Sequence, residues 1–332
     1  MNTPTSDRSL RTPVLIAAFS RYDTTRKVME AVRVVRPERL YFACDGPRNA
    51  DEKVRTDKVR SLVELVDWPC DVRTLFHEKN QGLKKAMVAN LDWFFGQEPE
   101  GIVLEDDTEP IPDFFRFCEE LLEHYRDDDR IWWILGNNLM AKPGAKPKAS
   151  YYFSQHGYGA PWGWAGWRSS WQLYDVGMKE WPKVRNTPAW DAFFLSRSEK
   201  AEAYHVFEST WDGRIPTTWA FQHDFARILH NGITVIPEFN LVRNIGFDGS
   251  GTNTVQGLDP RDLDNVSEMP FPLVHPGSIV VDKVRDLAYF NAFIRPSFSR
   301  RFRSTVKGFL PDRLDAAITP FVSRLLKRLG GN

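Results

Sequence analysis

Gly101-Ile102-Val103-Leu104-Glu105-Asp106-Asp107 joins a short apolar run to three consecutive acids. An apolar run of this length, bounded by polar residues, predicts a buried parallel strand. Open α/β sheets bind ligands just beyond the carboxyl ends of such strands. Three adjacent carboxylates there repel one another and resist desolvation, so they call for a cation or hydrogen-bond donors. Oxygen ligands of this kind suit Mg²⁺ or Mn²⁺ carried by a diphosphate. The plainer alternative is a solvated acidic turn ahead of Thr108-Glu109-Pro110.

Upstream, short apolar runs alternate with helical patterns. Strands are expected at 14–18, 40–44 and 72–76, and helices at 24–35, 52–66 and 82–95. This alternation predicts an α/β fold with a mostly parallel sheet and right-handed crossovers. Downstream, 114–125 predicts a helix and 131–135 a strand, and 142–148 is a loop rich in Pro and Lys. The second half is less regular. Residues 157–167 read as a Gly/Trp-rich loop, 186–211 as one interrupted helix, and 217–230 as a helix ended by Asn231-Gly232 ahead of a strand at 233–236. Asp248-Gly249-Ser250-Gly251 reads as a loop expected to move.

The 332 residues are 42% hydrophobic, enough for one large domain or two ordinary ones. Lys+Arg and Asp+Glu are both 44, and basic residues do not gather with aromatics on the α/β half, so nucleic acid is not expected as a partner. Three widely spaced cysteines argue against a disulfide framework and for a reducing compartment. The polar first residues lack an apolar signal core, and the expectation is a cytoplasmic protein. The tail, 297–332, differs from the rest: eight Arg and Lys against Asp312 and Asp315, interleaved with Phe and Leu. Such a basic amphipathic segment suits an anionic membrane surface, which would make the protein peripheral on the inner membrane face; a solvated helix packed on the domain is the alternative.

The strand ends form an ordered series: Ser20-Arg21, Asp45-Gly46-Pro47-Arg48, Asn80-Gln81-Gly82-Leu83 and Glu105-Asp106-Asp107. Trp162-Gly163-Trp164-Ala165-Gly166-Trp167-Arg168 and Asn244-Ile245-Gly246-Phe247-Asp248-Gly249-Ser250-Gly251-Thr252 follow. Together they resemble the bacterial nucleotide-diphospho-sugar transferases of the GT-A glycosyltransferase fold and, more distantly, the N-acetylglucosaminyltransferase I group. The resemblance spans about 13–255 and implies a Rossmann-like GT-A domain, with a nucleotide-sugar half at 13–140 and an acceptor half at 150–255. Residues 256–332 would be a C-terminal extension with basic amphipathic helices.

The resemblance also implies roles. Asp45, beside Gly46, would read the nucleotide base, and Arg21, beside Ser20, would contact the diphosphate, a match of guanidinium fork to phosphate oxygens. Asp107 would ligate Mn²⁺ or Mg²⁺, with Glu105 and Asp106 on ribose and sugar hydroxyls or ordered water. Trp162, Gly163 and Trp164 would meet the sugar acceptor, together with Gln222. The implied activity moves a sugar from a nucleotide-diphosphate donor, UDP favoured, to a glycan or lipid-linked hydroxyl, with inversion. Two positions depart from the pattern. Asn253 stands where relatives carry a metal-ligating His and would offer the metal a weaker oxygen ligand or only a hydrogen bond, and Trp219-Ala220 stands where many carry Trp and a carboxylate base. Asp224, a helical turn beyond Ala220, is the first candidate for general base, and His223 the second. The two losses also fit a catalytically impaired sugar-nucleotide- or glycan-binding protein. A nucleotidyltransferase would normally carry a Gly-rich basic first loop, and Ala17-Ala18-Phe19-Ser20-Arg21 is not one.

Overall fold

The computed structural model describes residues 9–142, 144–157, 161–246 and 265–295. Asn253, the Asp248–Gly251 segment and the basic tail lie outside these residues. Strands β1 (Val14–Ala18), β2 (Arg39–Cys44), β3 (Asp71–Phe76) and β4 (Glu100–Glu105) are parallel neighbours in the order β3-β2-β1-β4. Helices α1 (Tyr22–Val35), α2 (Ala50–Arg60) and α3 (Leu83–Gln97) connect them. All five residues of β1 are buried, as a strand covered on both faces must be. The expected helix over 52–66 ends earlier, because Ser61–Leu65 tightens into a 3₁₀ turn.

β5 (Thr108–Pro110) leaves the main sheet and pairs with β10 (Val242–Asn244) in a two-stranded antiparallel ribbon. Helix α4 (Pro112–His124) buries Phe114, Phe115, Phe117, Cys118, Leu121 and Leu122, the spacing of one apolar helix face. Each such aromatic or leucine, fully buried, contributes about 1.5–3 kcal/mol.

Beyond β4 the sheet continues through β6 (Ile131–Leu135), β7 (Tyr151–Ser154), β8 (Trp164–Trp167) and β9 (Ile233–Pro237), in the order β4-β8-β6-β9-β7. β8 is antiparallel to both β4 and β6, and β7 is antiparallel to β9. The Gly/Trp segment expected as a loop therefore contains a central strand. Both expected halves share this one sheet of eight strands.

Short helices α5 (Arg168–Trp171), α6 (Trp181–Val184) and α7 (Pro188–Phe193) lead to α8 (Arg197–Trp211) and α9 (Ala220–Leu229). The single helix expected over 186–211 is two, separated at 194–196. Ser196 accepts from the Glu199 amide at 3.2 Å and starts the second. Trp181, Trp190, Phe207 and Phe225 form a core of their own beneath these helices, which takes up two of the chain's 12 tryptophans. Past residue 255, Met269 and Leu273 enter the main core, and α10 (Lys283–Tyr289) ties to β7 through Asp286 and Ser154. The fold thus runs on beyond the expected boundary. Among the described residues no helix is long and apolar enough to cross a membrane.

Candidate functional site

The chain winds outward from β1 to β2 and β3, then returns to place β4 on the other side of β1. That reversal is a topological switch point, and the crevice at its carboxyl edge is where such sheets bind ligands. Arg21 follows β1, and Asp106 and Asp107 follow β4, so the expected diphosphate and metal groups meet at that edge. Arg21 Nη2 pairs with Asp106 Oδ1 and donates to Asp107 Oδ2 at 2.9 Å. Its second terminal nitrogen, Nη1, is buried with no hydrogen-bond partner among the described residues. Asp106 also accepts from the Phe19 amide at 3.3 Å. Burial opposes the Arg21 charge, but the two aspartates more than offset it and hold its pKa above the usual range. Burial pushes the Asp106 carboxyl up, against the pull of Arg21.

The local sequence sets this geometry. Arg21 is the N-cap residue of α1, whose first turn is closed by Thr25 Oγ1 donating back to the Arg21 carbonyl at 2.5 Å. Thr108 Oγ1 and the Glu105 amide and carbonyl exchange two 2.9 Å bonds that fold the acid triplet into a turn. Ile245 N donates to the Asp107 carbonyl at 2.8 Å and brings Gly246 against the pair. A Cβ on Gly246 would lie 2.3 Å from Asp107 Oδ2 and 2.9 Å from Arg21 Nη1. Gly246→Ala is therefore expected to displace the carboxylate and to weaken by about 10–100-fold whatever ligand the Arg21–Asp107 pair holds, with the melting temperature almost unchanged. Titration calorimetry beside a thermal melt checks both parts.

Glu105, half-buried in the same turn, is pushed up to about 8 by burial and by repulsion from Asp107 and Asp106. Its ordinary value is 4.5, so between these two pH values the folded chain holds more protons than the unfolded one. Stability conferred by that proton is complete below about pH 4.5 and falls as pH rises toward 8. Glu105→Gln is expected to flatten this decline. A melting temperature that falls equally in the variant and the parent would refute the assignment.

Asp45 sits at the end of β2 and is almost fully buried. Its Oδ1 accepts from Gly46 N at 2.7 Å and Gln81 N at 2.9 Å, and its Oδ2 from Asn80 Nδ2 at 2.9 Å and Gly82 N at 3.1 Å. These four donors fill the four lone-pair directions of a carboxylate. The base-reading role implied for Asp45 is corrected on that ground: no acceptor direction is left for a nucleobase, and the residue instead binds β2 to the start of α3. Gly46 allows that contact by lying on the Lys79 backbone. Ser20 is half-buried at the turn that carries Arg21.

On the other side of the switch point, Gly163 accepts from the Gly136 amide at 2.9 Å and packs toward Leu104, Phe114 and Val242. The acceptor-side segment thus reaches the same edge as the acid triplet. Trp162 is half-buried there. Trp164 is only 2% exposed, in the aromatic core with Trp133 and Trp219, and cannot offer a face to a sugar. The sequence did not single out Asn137, at the end of β6. It is 1% exposed, with neither side-chain polar atom hydrogen-bonded among the described residues, and a ligand hydroxyl or a water would satisfy it.

α9 begins at this edge and runs away from it. Trp219 stacks on Trp164, whereas Gly232, past the helix end, meets Trp132 near the start of β6. His223 lies on the sheet side of α9. Its ring is 4.3 Å from Trp133 at 9° and 1% exposed, and burial pushes its pKa down to about 3. Enclosed by indoles, it cannot meet a substrate, and the alternative base is ruled out. Gln222 is also 1% exposed, which removes it from the acceptor surface. Asp224 is four residues into the helix, about 6 Å along its axis. Its side chain is 29% exposed, and Oδ1 is 3.6 Å from Arg227 Nη2. Burial raises its pKa to about 6 against the pull of Arg227, a value suited to proton transfer near neutrality.

Among the described residues no cluster of three or more His, Cys, Asp or Glu could hold a metal alone. Asp107 and Asp106 nevertheless present hard oxygens at one edge of the crevice, and the buried, unpartnered Arg21 Nη1 presents a donor beside them. That set fits a divalent ion whose remaining ligands are phosphate oxygens and water, the usual binding mode of Mg²⁺ at nucleotides.

No family profile matches the chain, and no curated protein matches it. Among solved structures it is similar to UTP-bound UGPase from Acinetobacter baumannii, at 10% identity over 72% of this chain and 90% of that one, TM-score 0.35. It is likewise similar to 4-diphosphocytidyl-2C-methyl-D-erythritol synthase from Anaerococcus prevotii, at 8% identity over 60% and 84%, TM-score 0.32. The inositol-1-phosphate CTP transferase from T. maritima gives 11% identity over 51% and 75%, TM-score 0.31. At such scores the likeness carries no argument about activity. The molecule itself is an α/β protein with a large, mostly parallel central sheet flanked by helices.

Proposed function

We propose that this protein is a glycosyltransferase that takes a sugar from a nucleoside-diphosphate donor, UDP favoured, and passes it to a hydroxyl of a glycan or lipid-linked acceptor. One observation carries the reading: a cation with a spare buried donor, Arg21, is held against Asp106 and Asp107 at the switch point of the sheet. Arg21 would give its free Nη1–H to a diphosphate oxygen, a charge-assisted bond that fixes the leaving group. Asp107, with Asp106, would hold Mn²⁺ or Mg²⁺. When bound, such an ion neutralises charge developing on the departing diphosphate.

In the reaction the bond from the anomeric carbon to the diphosphate oxygen breaks, and a bond to the acceptor oxygen forms. The acceptor proton passes to a base; Asp224, the candidate named from the sequence, is held beside Arg227 near the start of β9 rather than at the acid turn. Trp162 and Gly163, on the far side of the acid turn, would border the acceptor. The resemblance supports inversion.

The test is titration with UDP and with GDP, each with and without Mn²⁺, followed by transfer assays from the matching sugar nucleotides. Metal-dependent binding of one nucleotide, with turnover, is the expected result, and binding of neither would overturn the reading. A second reading, a sugar-nucleotide-binding protein without turnover, is favoured by the placement of Asp224 beside Arg227 rather than at the helix start. Tight nucleotide binding with no transfer across a broad acceptor panel would establish it.

A further inference from the structure

We propose that a cavity on the flank of the sheet, between α3 and α5, is a second binding site, which takes a neutral sugar ring of a glycan. The proposal goes beyond the transferase reading and does not depend on it: it concerns the protein and a sugar, with no nucleotide or metal.

Two helical turns build the cavity. α3 gives it Asp92, Phe95 and Gly96, and α5 with the residue after it gives Arg168, Trp171 and Gln172. Each set is spaced i, i+3, i+4, which places it on one helix face. Tyr174 completes the wall. The volume is about 290 Å³, near the lower bound for small-molecule sites, and suits one or two rings. The cavity is remote from the acid turn. The Arg168 amide donates to the Pro99 carbonyl at 2.8 Å, just ahead of β4, and from there to Asp106 the strand rises roughly 23 Å.

The apolar wall is fixed. Trp171 Nε1 donates to Asp92 Oδ1 at 2.8 Å, and the Tyr174 ring lies 4.4 Å from the Trp171 ring at 17°. Phe95 stacks on Trp171 at 6.3 Å. Of the three rings, Tyr174 keeps the most exposed surface. A ring held in this way suits the C–H face of a pyranose.

The polar groups suit hydroxyls. Arg168 Nε is used on the Phe95 and Glu98 carbonyls at 2.5 and 3.2 Å, and its two terminal nitrogens meet no acceptor among the described residues. Asp92 Oδ2 meets no donor among them, and Gln172 is exposed. Arg168 and Asp92 thus line one cavity without pairing with each other. A cation would be repelled by Arg168, and an anion by Asp92. A hydroxyl accepts from the one and donates to the other, and adjacent hydroxyls fit a guanidinium fork. A neutral sugar satisfies both charges at once.

Gly96 keeps the space open. A Cβ there would meet no atom within 4 Å, so the surrounding protein does not require a glycine, and glycine within a helix costs stability relative to alanine. Its missing side chain leaves the room that a ligand would occupy.

The experiment follows the Trp171 indole signal by proton–nitrogen NMR, assigned with Trp171→Phe. The probes are the methyl glycosides of glucose, galactose, mannose, N-acetylglucosamine and glucuronate. At least one neutral glycoside is expected to shift the signal saturably with a millimolar Kd, and the glucuronate to bind more weakly than the glucoside. Gly96→Leu, which fills the cavity from a position with free space, should abolish the shift with the melting temperature almost unchanged. Asp107→Ala should leave the shift as it is. No saturable shift with any neutral glycoside overturns the proposal, as does an undiminished shift in a folded Gly96→Leu. Tighter binding of the glucuronate overturns the assignment to a neutral ring. A shift lost in a folded Asp107→Ala places the sugar in the crevice and overturns the second site. None of these results bears on nucleotide binding at Arg21 and Asp107, so the transferase reading stands or falls by its own titration.

Discussion

On the proposed transferase reading, replacing Asp107 with alanine is expected to lower kcat/KM for sugar transfer about a thousandfold or more, with the folded state retained. Three factors of ten correspond to about 4 kcal/mol of lost transition-state stabilisation, within the range for removing an ion that stabilises a leaving group. Asp107 is partly exposed, and its carboxylate contacts Arg21 and the backbone at Gly246 rather than a packed core, so truncation leaves no large cavity. The Arg21 guanidinium keeps Asp106 as a partner in the variant. Steady-state kinetics over a range of Mn²⁺ concentrations check the prediction. Parent-like turnover in the variant would eliminate the metal role, and a collapse of the melting temperature would show instead that the residue is structural.

The largest effect on stability is expected at Arg227, far from the acid turn. This side chain is 0% exposed. Its Nη1 donates to the Gln155 carbonyl and, at 3.0 Å, to the Gly232 carbonyl, and its Nη2 donates to the His156 carbonyl at 2.8 Å. It therefore ties α9 to the segment after β7 and to the start of β9. Arg227→Met fills much of the volume but strands three carbonyls and leaves Asp224 without its cation. Removing one member of a buried charged network costs about 3–5 kcal/mol. For a domain of this size that lowers the melting temperature by roughly 10 °C. A shift within a few degrees of zero would show that water replaces the guanidinium.

The first half of the fold was legible because each element carries its own signal. β1 occupies the residues its apolar run marks, and α4 follows from the spacing of Phe114, Phe117, Cys118 and Leu121. β8 was missed because four residues, Trp-Ala-Gly-Trp, have no periodicity that separates strand from loop. Only pairing with β4 on one side and β6 on the other makes them a strand. The break before α8 did have a local signal, Ser196 three residues ahead of Glu199, the pattern of a capping box.

In the site, Arg21, Asp106 and Asp107 come together as their strand-end positions imply, since a parallel sheet aligns the ends of β1 and β4. The roles of Asp45, His223, Gln222 and Trp164 could not be read from residue type. A carboxylate's free lone pairs depend on where the Asn80–Gly82 backbone lies. A histidine one residue from a plausible base is turned about 100° around the helix, here into the tryptophans.

The closed contact of Arg21 with Asp106 and Asp107 has a consequence for how the crevice responds to simple ions. A lone divalent cation at the aspartates must push against a guanidinium, and a lone anion at the guanidinium must push against two carboxylates. An ion already complexed to a diphosphate brings both charges at once and relieves both repulsions. On the proposed reading the site would thus work as a coincidence detector, admitting the pair more readily than either member. Free manganese should compete poorly, free phosphate or sulfate should inhibit weakly, and binding of metal and nucleotide should be mutually reinforcing, each raising the affinity for the other by the same factor.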